Sequence, residues 1–367
     1  MLLKTGLSLK QAVCVLVLFI SGNALVVGIS LTPERTTWLA ILLASLFYLP
    51  VMLIYCRLLS LFPGRHLYEI ITLVFGGILG KVISVLYILF SAFLCDTVMR
   101  CFAEFLQIAA MPATPEIVFL IFMFFLSVWM VKSGVDKFGQ WCSIMTVIVL
   151  IAIGLTAVLG VKYMHLENMF PIGTIHYPGL FKEAFSIFCI PYAESILFMS
   201  LFKEIKPSVS PYKIFSLSLV IAMGIFVVIA FRNTLLLGVN NLKMSYYPSF
   251  YAVSIISLGD FFSRFEVLIG MIFLICNYVK ITVALFSTSI GFAHLTKVDQ
   301  PAKVVTPIAL LVVSTSTILF SSNVEINGWL PNYEKLFVVF SVALPLIMLI
   351  TAEMQVRIRR LLRVRNG

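Results

Sequence analysis

The sequence has little charge. Only 11% of its 367 residues are Asp, Glu, Lys or Arg, whereas an ordinary soluble domain carries roughly 25%. Hydrophobic residues make up 61% of the chain, which excludes a water-soluble globular protein and suffices for about ten helices of the ~20 residues that cross a bilayer. Because no stretch between apolar segments reaches the ~50 residues of an independent domain, residues 1–367 are predicted to form a single integral membrane domain.

The sequence also lacks the residue clusters that enzymes and metal sites use. Its four histidines lie in loops or at helix ends, and no HExxH spacing, Walker A loop or GxGxxG turn occurs. The seven cysteines fall in or beside apolar segments with no Cys-x-x-Cys pair, so they are interpreted as small core residues. We therefore expect no enzymatic activity, no cofactor and no metal.

The apolar segments predict an all-α polytopic membrane protein with ten transmembrane helices. Short amphipathic helices are expected at 66–77 and 247–259. An even number of spans places both termini on one side of the membrane. The predicted spans are 8–29, 37–57, 81–109, 115–132, 139–161, 181–203, 213–237, 264–293, 303–320 and 335–356.

The few charges are distributed unevenly between the two sides. Seventeen of the 26 basic residues fall on the side of the N-terminus, which predicts cytoplasmic termini by the positive-inside rule. The C-terminal arginine cluster continues a hydrophobic helix, so it is interpreted as an interfacial anchor, and nucleic acid is not expected as a partner. Seven basic residues are assigned to the opposite side: Arg35, Lys162, Lys182, Arg232, Lys243, Arg264 and Lys335.

Two predicted spans contain helix-breaking residues in their interiors. Span one carries Ser21-Gly22-Asn23, and span six carries the run from Cys189 to Glu194 with Pro191 inside it. Each is the first span of one half, with halves at about 8–161 and 181–356. Paired interruptions indicate an inverted-repeat transporter fold with a ligand site at the membrane midplane. The alternative is two ordinary kinks, since Gly and Pro are common in membrane helices.

Three charged residues lie in span three. Asp96, Arg100 and Glu104 are spaced by four and share one helical face, so that Arg100 is able to pair in either direction. A charge at the middle of a membrane helix costs about 2.5–3.5 kcal/mol. The face is therefore either a self-neutralised structural network or a polar lining for a ligand or water pathway.

Spans six and eight carry the other polar groups. Glu194 follows the break in span six, where a carboxylate is able to bind an ammonium group, relay a proton or accept hydrogen bonds from backbone amides. Asn277 and Lys280 lie near the middle of span eight. Lys280 is expected to offset Glu194 or Asp96, to fill a cation position between spans one and eight, or to pair structurally.

A series of short motifs along nearly the whole chain resembles the B subunits of spore germinant receptors, the GerAB family. This sequence departs from common family patterns at Thr36-Thr37-Trp38 and at Ser21-Gly22-Asn23. The motifs that carry the resemblance are Leu7-Ser8-Leu9-Lys10-Gln11, Leu61-Phe62-Pro63-Gly64, Met99-Arg100-Cys101-Phe102-Ala103-Glu104-Phe105, Pro112-Ala113-Thr114-Pro115, Asn168-Met169-Phe170-Pro171, Tyr247-Pro248, Phe265-Glu266 and Tyr278-Val279-Lys280.

The resemblance implies a member of the amino acid-polyamine-organocation superfamily with the LeuT-like 5+5 inverted repeat. It also implies work in the inner membrane of bacterial spores, together with an A subunit and a lipoprotein C subunit. A family B subunit is expected to bind a small nutrient, an amino acid, sugar or nucleoside, and to trigger germination.

The two breaks and the resemblance together predict a nutrient pocket, with an amino acid as the favoured ligand. One alternative is a proton- or sodium-coupled amino acid transporter that uses the same pocket. Another is an ion-conducting or scaffolding subunit that binds no nutrient. The predicted pocket residues are Ser21, Gly22, Asn23, Ile190, Tyr192 and Glu194, and the predicted polar pathway consists of Asp96, Arg100, Glu104, Asn277 and Lys280.

Overall fold

The computed structural model describes residues 6–30, 32–170, 176–256, 265–319 and 323–365, and the regular elements in these ranges are helices. The α-helices are α1 (Leu9–Ser21), α2 (Ala24–Val27), α3 (Thr37–Leu61), α4 (Leu67–Phe75), α5 (Gly77–Ala109), α6 (Glu116–Ser133), α7 (Val135–Gly160), α8 (Tyr177–Ile187), α9 (Pro211–Met244), α10 (Pro248–Ser254), α11 (Glu266–Thr296), α12 (Val305–Leu319), α13 (Asn323–Val338) and α14 (Leu344–Arg365).

Helical structure occupies most of the described part of each predicted span, residues 264 and 320 at the ends of two spans lie outside the described residues, and both predicted amphipathic helices are present as α4 and α10. The end of the second one, at 257–259, lies outside the described residues. Within the described ranges, eight helical segments are long and apolar enough to cross a membrane. The other two predicted spans correspond to α1 and α12, which are apolar but contain only 13 and 15 residues. The protein is therefore a polytopic helical membrane protein, and the full count of ten crossings stays a prediction.

The core of the bundle is formed by α1, α11 and the interrupted segment Tyr177–Glu204. The most apolar windows of Tyr177–Glu204 and α11 are 83% and 72% buried, against 33–50% for the other six long segments. In α1, every residue from Ala12 to Ser21 is buried. A helix that is apolar all round is stable only inside a protein or a membrane, so α1 forms the centre around which α7, α9 and α11 pack.

The first predicted interruption is confirmed. Helix α1 ends at Ser21, and Gly22 has φ +20° and ψ −129°, a conformation that L side chains rarely adopt. Asn23 then leads into the single turn of α2. The backbone therefore leaves the helical path in the interior of an apolar segment, where hydrocarbon offers no hydrogen bonds to the freed groups.

The second predicted interruption is also confirmed. Helix α8 ends at Ile187 and a wide turn covers Phe188–Tyr192, in which Ile190 has non-helical φ −133° and ψ 109°. Pro191 contributes to the break because it has no backbone N–H. A 3₁₀ helix then runs from Ala193 to Glu204, much longer than the usual three or four residues of such helices.

The two interrupted segments run in opposite directions and break at similar depth. Leu7 N–H donates to the Glu204 carbonyl at 2.9 Å, so α1 begins at the membrane face where Ala193–Glu204 ends. We call this the N-terminal face. From it, α1 extends about 20 Å and the 3₁₀ helix about 24 Å. Both interruptions therefore meet inside the bundle.

One of the basic residues that the sequence assigns to the opposite side is buried inside the bundle. Arg232, which the predicted span 213–237 already contains, lies inside α9 and is 1% exposed. Its Nη1 donates to Thr156 Oγ1 at 2.8 Å, and its Nε and Nη2 donate to Asn233 Oδ1. These neutral oxygens accept hydrogen bonds from the buried guanidinium group. A count of charges along the sequence does not predict that an arginine is buried in this way.

Helix α4 lies at the N-terminal face and is capped by a buried histidine. His66 Nδ1 accepts a hydrogen bond from Glu69 N–H at 3.3 Å, and Glu69 Oε2 accepts one from His66 N–H at 3.4 Å. Burial lowers the pKa of His66 to about 4, against the opposing attraction of Glu69. The cap is thus formed by the neutral imidazole.

This cap predicts acid-sensitive local stability. Between pH 6.5 and 4 the unfolded chain binds a proton at His66 and the folded chain does not. The free energy of unfolding is therefore highest above pH 6.5 and decreases as the pH is lowered towards 4. The loss at pH 5 is about 2 kcal/mol. Asparagine retains a capping acceptor and does not titrate, so we expect the stability of α4 in His66→Asn to decrease less between pH 7 and pH 5. Hydrogen exchange of the α4 amides at these two pH values measures the difference. His165→Asn, at an exposed position, is the control; equal declines in all three proteins would contradict the prediction.

Candidate functional site

A cavity of about 90 Å³ lies where the two interruptions meet. Its wall comes from both broken segments and from α5, α11 and α13. The lining residues are Asn23, Ala24, Gly28 and Ile29 around the first break, Ser186, Ile190 and Glu194 around the second, Leu94, Thr97, Val98 and Cys101 on α5, Lys280 on α11, and Ile326 and Tyr333 on α13.

Two opposite charges meet in this cavity. Lys280 Nζ forms an ion pair with Glu194 Oε2, and each residue is only 1% exposed. The ammonium also lies 5.9 Å from the centre of the Phe19 ring in α1, within the range of a cation–π interaction. The pair identifies Glu194, and not Asp96, as the acidic partner of Lys280. A buried pair of this kind is stable only while both partners are present.

The break at Gly22 makes room for the lysine. A methyl group added at Gly22 would overlap Cδ of Lys280, so the lysine stem passes directly over the first interruption. The side chain thereby connects α11, the gap in α1 and the carboxylate at the second break. Gly22 thus allows both the unusual backbone conformation of the break and the close approach of the Lys280 side chain.

The cavity wall also contains an acceptor without a donor. Asn23 Oδ1 is buried and has no hydrogen-bond partner among the described residues. Asn277 is fully buried, and its amide nitrogen donates to the Phe273 carbonyl at 3.0 Å. A buried acceptor without a donor, such as Asn23 Oδ1, costs about 1–3 kcal/mol unless a ligand or water donates a hydrogen bond to it. Asn23 is therefore suited to accept a hydrogen bond from a bound ligand.

The predicted pocket residues divide into two groups. Asn23, Ile190 and Glu194 line the cavity, and Gly22 contacts the side chain of Lys280. Ser21 is buried in the last turn of α1 outside the lining. The remaining residue, Tyr192, is outside it as well. Its ring stacks on Tyr48 at 5.6 Å and its hydroxyl bonds to Ser45 at 3.1 Å.

The charged face of α5 turns away from this cavity. Asp96 Oδ1 accepts a hydrogen bond from Thr315 of α12 at 2.9 Å. Arg100 pairs with Glu116 at the start of α6. Glu104 Oε1 accepts from Tyr246, in the loop after α9, at 3.2 Å. These three residues join α5 to its neighbours, and their role as a polar pathway stays a prediction.

Sequence reasoning missed several wall residues. Thr97 and Cys101 lie one position after Asp96 and Arg100, which rotates them by about 100° around the helix. Tyr333 fell outside the predicted tenth span, which was expected to begin at 335, whereas helical structure begins at Asn323. The signal that could have found Thr97 and Cys101 is their i, i+4 spacing, which gives them a common helical face next to that of Asp96 and Arg100.

The fold and the cavity define an all-helical integral membrane protein with a mostly apolar cavity between two interrupted helices, in which Glu194 and Lys280 form an ion pair. The chain matches the family model described as spore germination protein over residues 6–324, and it belongs to that family. It is 23% identical to spore germination protein KB of Bacillus subtilis (strain 168), with 95% of each chain covered. It is 21% identical to the putative spore germination protein YfkT of the same organism, with 86% of each covered. The resemblance found in the sequence is thereby confirmed at the family level.

Proposed function

We propose that this protein is the membrane subunit of a nutrient germinant receptor and that the central cavity holds the nutrient. The observation that carries the proposal is the cavity itself, which lies between both helix interruptions and contains Glu194 and Lys280. A small amino acid is the ligand that fits best. Its ammonium approaches Glu194 and the backbone carbonyl of Ile190, while its carboxylate approaches Lys280 and the amides around Gly22 and Asn23.

The size of the cavity supports a small ligand. A volume of about 90 Å³ favours a small ligand such as an amino acid over a larger one such as a nucleoside. The orphaned Asn23 Oδ1 offers an additional acceptor for the ammonium group. Binding exchanges the internal ion pair for two charge pairs with the ligand, which keeps every buried charge compensated.

The proposal includes the architecture and the cellular setting. The antiparallel interrupted segments with breaks at matching depth support a LeuT-like 5+5 repeat of ten spans. The charge asymmetry supports a cytoplasmic N-terminal face, and it becomes stronger once Arg232 is removed from the opposite set. The subunit works with an A subunit and a lipoprotein C subunit in the inner membrane of the spore.

A cavity-filling variant tests nutrient binding. Cys101→Phe places a ring in the cavity, while Leu89→Phe changes a 60% exposed position on the same helix. We expect amino acids to raise the thermal unfolding temperature of the purified native protein and of the Leu89 variant, and to have no effect on the Cys101 variant. Deletion of the gene in the sporulating host should abolish the response to the same amino acid. Undiminished binding by Cys101→Phe would refute the proposal.

A second cavity favours a transporter as the alternative function. It has a volume of about 800 Å³ at the N-terminal face and extends inward to Ser200. Ser200 lies six residues from Glu194 along the 3₁₀ helix, about 12 Å, and buried Leu197 and Phe198 lie between them. Uptake of a labelled amino acid into vesicles that contain the purified protein would support transport, whereas saturable binding without uptake supports a receptor.

A further inference from the structure

A third cavity lies at the face opposite the N-terminal face and has no part in the proposed nutrient site. It has a volume of about 560 Å³ and is formed by the start of α3, the start of α8 and the end of α9. One side is apolar, where Trp38 stacks on Phe231 with ring centres 5.6 Å apart. The other side is polar and includes Arg35, His176 and Lys243.

The polar side presents more donors than acceptors. Lys243 Nζ is paired with Glu34 Oε1 at 2.6 Å. Arg35 is exposed and has no ion-pair partner among the described residues. His176 Nδ1 accepts a hydrogen bond from Gly179 N–H at 3.2 Å, which leaves the proton of the neutral ring on Nε2 as a donor. Unpaired donors around one carboxylate indicate a site for an anion.

Apolar side chains continue from this cavity along the outside of the bundle. On α3, the exposed Leu42 and Leu46 follow one and two turns after Trp38. On α8, the exposed Phe181 lies one turn after Tyr177, and its ring stacks on Phe47 at 6.4 Å. An anion bound in the cavity is therefore placed directly above a surface that suits hydrocarbon chains.

We infer that this cavity binds the phosphate headgroup of an anionic phospholipid, whose acyl chains lie along Leu42, Leu46 and Phe181. Arg35 and Lys243 supply the positive charge, His176 a directional donor, and Trp38 the amphipathic ring that is typical of the membrane interface. A phosphate ester dissolved in water carries the same anionic group without the chains, so the two sources of phosphate are separated by experiment.

The test uses the full-length purified protein in detergent micelles. Phosphatidylglycerol is added as the anionic lipid, phosphatidylcholine as the neutral one and glycerol 3-phosphate as the soluble anion, and binding is measured by native mass spectrometry and thermal shift. Arg35→Gln with Lys243→Gln is expected to weaken phosphatidylglycerol binding on the order of 10- to 30-fold. The matched control Lys182→Gln changes an exposed lysine on α8 outside the cavity, and binding should be unchanged.

Each outcome decides the inference. Preference for phosphatidylglycerol that depends on Arg35 and Lys243 supports the lipid site. A shift with glycerol 3-phosphate of equal size and with the same dependence overturns the lipid assignment in favour of a soluble phosphate ester. Equal binding by the native and double-variant proteins, or an equal loss in Lys182→Gln, overturns the site altogether. The elution profile and unfolding temperature of each variant without lipid establish that it is folded.

Discussion

Replacing Lys280 with methionine is expected to destabilise the protein by about 3–5 kcal/mol, because it leaves the Glu194 carboxylate buried without its counter-charge. Glu194→Gln is expected to have an effect of the same order, since it leaves the ammonium group buried instead. The double variant Lys280→Met, Glu194→Gln removes both charges. Its stability should return to within about 1 kcal/mol of the native protein, because apolar or neutral replacements of a buried pair are often tolerated.

These variants separate folding from function. The double variant is expected to fold, assemble and yet give no response to the amino acid, since neither charge is left to bind the zwitterion. Stability is measured by thermal unfolding of the purified proteins, and function by germination of spores that contain equal amounts of each variant. Lys137→Met, at an exposed position on α7, is the control and should behave as the native protein. A double variant as unstable as either single variant would show that the two charges do not compensate each other.

The interruptions were predictable because their causes are local. Glycine next to serine and asparagine weakens a helix, and proline interrupts one. Both effects are independent of what the helix packs against. The structure places breaks at Gly22 and Ile190, in the predicted runs. The sequence also predicted that the two breaks meet, since each was placed in the first span of a predicted half, and the halves themselves stay a prediction.

The partners of the charged residues were not predictable, because they depend on rotation and distance between helices. The sequence left Lys280 with two acidic candidates, and only the packing of α11 against the second interrupted segment selects Glu194. Similarly, Asp96 and Arg100 have four-residue spacing, but their partners are Thr315 and Glu116. A rotation of one residue, about 100°, decides which face of α5 lines the cavity.

The wall that α13 contributes escaped the sequence for a different reason. Residues Asn323–Val338 include several polar groups, so hydropathy alone favoured a later start for the tenth span. In the structure Tyr333 and Ile326 face the cavity, and Tyr333 also packs against Phe337 with ring centres 4.3 Å apart. Burial against α5 stabilises a helical segment that hydropathy does not identify.

Gly22 connects the backbone of the first break to the charge pair. Its φ of +20° and ψ of −129° disfavour any L side chain, and an added Cβ would overlap the Lys280 stem. Strain of this kind costs about 1–3 kcal/mol. Because the stem of Lys280 must shift to relieve the overlap, we expect its ammonium to move away from the Glu194 carboxylate.

Gly22→Ala is therefore expected to raise the amino acid concentration needed for half-maximal germination by about tenfold or more, as about 1.4 kcal/mol of strain at the binding site corresponds to a tenfold loss of affinity. The matched control is Gly154→Ala in α7, where an added Cβ meets no atom within 4 Å and the helix gains up to about 1 kcal/mol. Both variants are measured in spores with equal amounts of the protein. If Gly22→Ala spores germinate with native kinetics, the first interruption is not part of the nutrient site, and the paired breaks serve only the packing of α1 against α11.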